Sequence, residues 1–266
     1  MNNDVVIIQK AAMASRETTQ IGVQINGINA EQASQIAINL FRDNFPKLQE
    51  EARKIARERA EELCNEIINK LDIQGKKDFS EFTDPDIQFV LSKSQQEYAR
   101  FGTKELLELL SEIVINRINY NYDYYMKILI DKAIDVAEFL TPAQLNYLSI
   151  IFLCKHVIFK EINSIQSLKK ICDHISAMLP VPTNIAESIS LLSMLQLFVL
   201  SVNLVGDYLA KTYGLDVDAV NSVLPKSIQS MPDDYALSPL GILLAIINAK
   251  KKTDISIEYE TWLKMD

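Results

Sequence analysis

Glycine and proline are scarce, with seven and eight in 266 residues. Tight turns draw on both, so the shortage excludes an all-β protein of many hairpins and favours long helices. Cysteine is scarcer still, and odd in number: Cys64, Cys154 and Cys172, in a chain with no secretory signal, do not make a disulfide framework. The first apolar run, residues 5–8, is too short for a signal-peptide core and has no basic leader. The expected compartment is the cytoplasm. Unneutralised positive charge is missing too. The net charge is −8, and in residues 47–59 Glu50, Glu51 and Glu58 alternate with Arg53, Lys54, Arg57 and Arg59. Phosphate binding needs basic residues without acidic neighbours, so nucleic acid is not an expected partner.

Motifs that carry chemistry are also absent. There is no Gly-rich phosphate loop, nucleophile elbow, HExxH or DxD cluster in a context that would use it. The two histidines each follow a cysteine by two positions, as Cys154-Lys155-His156 and Cys172-Asp173-His174. On an unbroken helix such positions point about 200° apart, so neither pair can share a zinc ion. The expectation is buried thiols and partly exposed histidines. No catalytic, cofactor-binding or metal-binding residue is nominated, no cofactor is implied, and a non-enzymatic role is expected.

What the chain has in quantity is helical periodicity. Residues 84–118 read as a helical hairpin: Asp84 caps a helix opened by Pro85, with Ile87, Val90, Leu91, Ser94 and Tyr98 on one face. Phe101-Gly102 ends it, and Thr103 starts a second helix through Leu106, Leu110, Ile113, Val114 and Arg117. Asn29 with Gln32 resembles a capping box, opening a helix that buries Ala33, Ile36, Ala37, Leu40 and Phe41. Residues 47–71 form the next, with Leu48, Ala52, Ile55, Leu63 and Ile67 as its stripe. Further starts fall at Thr141-Pro142, Ser164, Asp216 and Ser238-Pro239. Residues 225–237 read as a loop.

Two stretches alternate with period two. In one, Ile21, Val23 and Ile25 alternate with Gln20, Gly22, Gln24 and Asn26; in the other, Ile255, Ile257 and Tyr259 alternate with Ser256, Glu258 and Glu260. The fold class is therefore all-α: a multi-helix bundle with a short N-terminal β-strand and a short C-terminal β-strand. Residues 1–28 are leader and strand, and 29–266 a helical domain with a sub-boundary near 140–180. A lone strand exposes unpaired backbone along both edges, which nominates Gln20, Ile21, Gly22, Val23, Gln24, Ile25 and Asn26 for self-association. Pairing with 255–260 of the same chain stays open beside pairing between copies.

Residues 188–206 carry no charge. Their length suits a bilayer, yet six polar side chains are scattered through them, and Glu187 and Asp207 flank them in place of basic anchors. One buried helix is the expectation, and a membrane span the alternative.

EYARFGTKELLELLSEIVINRI, then LTPAQLNYLSIIFL and LSPLGILLAIINAKKKTDISIEYETWL, resemble an uncharacterised bacterial all-helical family whose members begin with a Gln/Asn-rich alternating strand. The layout is similar, more distantly, to abortive-infection alpha proteins, which are linked to phage defence. The likeness covers residues 18–171 and 237–263. It implies a cytoplasmic, defence-associated protein that acts by assembly or by perturbing a membrane, and it transfers no catalytic residues. The resulting expectation is a helical interaction protein that forms a homo-oligomer or binds a protein partner. A membrane-perturbing effector using 188–206 is the first alternative, and an enzyme of unrecognised type the second.

Overall fold

The computed structural model describes residues 28–44, 50–119, 124–201, 204–232, 234–253 and 255. The chain runs α1 (Ala30–Asn44), α2 (Glu50–Ile73), a single 3₁₀ turn (Ser80–Thr83), α3 (Pro85–Phe101), α4 (Lys104–Asn119), α5 (Tyr124–Ala137) and α6 (Pro142–His156). It continues through α7 (Ile165–Met178), α8 (Ile185–Met194), β1 (Phe198–Leu200), α9 (Val205–Tyr213), α10 (Val217–Val223), α11 (Lys226–Gln229), β2 (Tyr235–Leu237) and α12 (Pro239–Lys252). The fold is all-α, with a single antiparallel ribbon, β1–β2, among the described residues.

Side-chain caps place the helix starts. Gln32 N donates to Asn29 Oδ1 at 2.9 Å, and Asn29 N to Gln32 Oε1 at 3.1 Å. Asp84 accepts from Asp86 N at 2.8 Å, with Pro85 in the first helical position. Thr141 and Gln144 complete a reciprocal box, as do Ser164 and Ser167, each satisfying amides that the first turn leaves without helical partners. In the α3–α4 hairpin, all ten residues expected inside are buried, Arg117 included. The turn uses Gly102 at φ 62°, and Arg59 of α2 reaches across to donate to Ala99 O and Arg100 O, at 2.8 and 3.0 Å. The last carbonyls of α3 are thus capped from another helix.

α12 is the centre of the packing. Every residue from 240 to 249 is buried, and the helix lies against α6 most extensively, with α4, α5 and β2 around it. A helix apolar on all sides belongs in a core. The main core extends from Ile28 to Ala249.

Three expectations are corrected. Residues 188–206 are helix, strand and helix rather than one helix. α8 stops at Met194, where Leu197 N bonds to Leu192 O and Gln196 N to Ser193 O, with Gln196 at φ 59°. This is a helix-terminating turn in which glutamine holds the left-handed position that usually selects glycine. Residues 225–237 contain α11 and β2 rather than loop alone. In α2 the buried stripe runs through Ala56, Ala60, Leu63, Cys64, Ile67, Ile68 and Leu71, while Ala52 and Ile55 are exposed. Ile55 faces water among charged neighbours because α1 and α3 meet α2 on the alanine side.

Candidate interaction surface

Gln20, Ile21, Gly22, Val23, Gln24, Ile25 and Asn26, nominated for self-association, lie outside the described residues. Of the alternating stretch 255–260 only Ile255 is described, and it packs half-buried against the core outside any strand.

A different strand edge reaches the surface. β1 pairs with β2 in the register Phe198↔Leu237, Val199↔Ala236, Leu200↔Tyr235. Ser238 N donates to Leu197 O at 2.9 Å and Ser201 N to Asp234 O at 2.8 Å. Antiparallel residues alternate between bonding toward and away from a given neighbour, so Leu197, Val199 and Ser201 face β2, and Phe198 and Leu200 turn their backbone groups to the opposite edge. Among the described residues no strand pairs with that edge. The inner side is anchored: Phe198 is buried, its ring 5.7 Å from that of Tyr235, and Ser238 both caps α12 and donates to Gln196 O at 2.7 Å. Beyond the anchor the same stretch opens to water, with Leu200 83%, Met194 71%, Leu204 48% and Val199 46% exposed. Edge strands are ordinarily blunted by charge, proline or a covering element; β1 and its flanks carry no charge and no proline.

The titratable groups elsewhere link helices. Between α3 and α5, Lys93 pairs with Asp135 at 2.6 Å and donates to Asp131 O at 2.9 Å. One turn on, Glu97 shares a hydrogen bond with Glu138, and Arg100 approaches both. Burial, that hydrogen bond and the charge of Glu138 push the Glu97 carboxyl up to about 7. Arg117 and Lys127 converge on Asp86. Near the end of α12, Lys251 pairs with Glu108 beside a small cleft of about 40 Å³, room for a few water molecules. Burial and the neighbouring Lys252, Lys70 and Lys104 bring the Lys251 amine down to about 8.

All three cysteines are buried, and burial raises each thiol, Cys64 and Cys172 to about 12; a thiol so held is a poor nucleophile. His156 stacks on Phe152 at 5.6 Å, while His174 is exposed on α7. Among the described residues no group of three His, Cys, Asp or Glu is placed to hold a metal ion, and no helix is long and apolar enough to cross a membrane. The one sequence signal of the β1 edge is its lack of charge, which also suits a buried helix.

No curated protein and no solved structure matches the chain. A family model matches residues 27–230, from the approach to α1 to the end of α11, and the chain belongs to that family, whose function is unknown.

Proposed function

We propose that this chain is a helical interaction protein that assembles with copies of itself through an uncharged strand edge. The observation that carries this reading is β1: a strand anchored on one side by Phe198 and open on the other, in a stretch with no charge to keep a partner away. The thiols and carboxylates that could suggest chemistry are explained by packing and by ties between helices. The setting we propose is the cytoplasm and phage defence, on the likeness of the hairpin and of the segments opening α6 and α12 to abortive-infection alpha proteins.

Light scattering over a concentration series tests the assembly. A mass of at least twice the 30.2 kDa of one chain is expected; a single chain at every concentration would overturn the proposal. Plaque counts on cells expressing the protein test the setting. Fewer plaques with the native chain than with the Leu200→Lys variant support defence through assembly, and equal counts remove the defence assignment.

A further inference from the structure

Resting on the assembly reading, we infer that the strand completing β1 is β1 of a second copy, paired antiparallel about a two-fold axis that passes Val199. On such an axis Val199 meets its own twin, so a charge there would repel itself, whereas a neutral side chain accepts its copy without that penalty. Residues 188–206 are neutral throughout, in a chain with 62 charged side chains, 27 basic and 35 acidic. A charged partner would find nothing here to pair with; a copy of the same edge finds its equal.

The register follows from the ribbon. Phe198 and Leu200 direct their N–H and C=O groups away from β2. Placing Phe198 opposite Leu200 of the second copy lets each of these residues donate and accept once, closing four ladder bonds from two residues per chain. Val199 then faces Val199 of the second copy in a non-hydrogen-bonded pair, where Cα atoms lie about 4.5 Å apart and side chains touch. The product is a four-stranded sheet, β2-β1-β1-β2. Three or more strands with an apolar face are what a ribbon needs for stability of its own.

Substitution at Val199 tests this. Its side chain is half-exposed and its backbone bonds run to Ala236, so lysine and glutamate are tolerated there, which an unchanged far-UV circular dichroism spectrum verifies. Val199→Lys and Val199→Glu are each expected to halve the mass of the assembled species, because each sets like charges face to face. Mixing the two variants is expected to restore the native mass as a one-to-one pair. Oxidation of Val199→Cys is expected to trap a species of twice the chain mass, since the pair distance suits a disulfide and Cys64, Cys154 and Cys172 are buried. If Val199→Lys keeps the native mass, the inference fails and the assembly reading stands. If the native chain is already a monomer, both fail. If a chain starting at Ile28 loses assembly while Val199→Cys does not cross-link, residues 20–26 supply the strand and the inference is overturned.

Discussion

Single side chains in the α3–α4 region show how firmly position determines role. Leu110 is fully buried at the heart of the hairpin, and Leu110→Ala is expected to cost about 2–5 kcal/mol, the lost transfer free energy plus the cavity left behind; urea unfolding measures it. Glu97 gives a pH-dependent effect. An acid held at about 7 when folded, against 4.5 ordinarily, binds more protons folded than unfolded between those values. Its contribution is complete below 4.5 and is lost as pH rises through 7. The expected result is a stability difference, native minus Glu97→Gln, that falls from pH 5 to pH 8. His156, whose pKa burial lowers, works in the opposite sense below about 6.5, and the difference between the two proteins cancels it. A flat difference would show that the Glu97–Glu138 contact does not hold a proton. Gln95 is a polar residue whose place in the core its own identity does not reveal. It is nonetheless buried, donating to Ala37 O at 2.9 Å and Cys64 Sγ at 3.0 Å, a tie among three helices that no local pattern announces.

Among elements, the starts were legible and some of the ends were not. Asp84-Pro85, Thr141-Pro142 and Ser238-Pro239 open helices in the structure as in the sequence, because a cap involves residues only two or three positions apart. The end of α8 carries no glycine or proline; Gln196 takes the turn, and nothing in its identity reports a positive φ. β1 and β2 have three residues each, too few for alternation to show, and Phe198 finds its partner at Leu237. Ser238 joins the two kinds of element. Its hydroxyl accepts from Gly241 N at 3.1 Å and donates to Gln196 O at 2.7 Å, and the absence of a side chain at Gly241 lets Leu197 O approach α12 closely. Ser238→Ala removes the cap and leaves Gln196 O without that donor, at an expected cost of about 1–2 kcal/mol, measured by thermal unfolding. A cost near zero would mean the ribbon is not held through this residue.

At the scale of the whole molecule, apolar content was legible and its destination was not. Residues 188–206 and α12 are both rich in aliphatic side chains, yet α12 is enclosed on all sides while much of the β1 stretch is open to water. Burial depends on which elements surround a segment, and that is decided by contacts a hundred residues away. Asn248 makes such contacts. Its amide donates to Asn146 Oδ1 at 3.1 Å and Ser149 Oγ at 2.9 Å, and Asn146 donates in turn to Pro180 O at 3.0 Å. Asn248→Leu keeps the γ-branched shape with a bulkier side chain but leaves Asn146 Oδ1 buried without this donor, at an expected cost of about 1–3 kcal/mol. Because α12 packs on α4 and α5 as well as on α6, the loss is expected to spread. Hydrogen exchange should show protection falling by the same factor in α3 as in α6, about tenfold for each 1.4 kcal/mol. Protection lost around α6 and α12 but kept in α1 to α4 would instead divide the body into two cooperative units, with their boundary near residues 140–180.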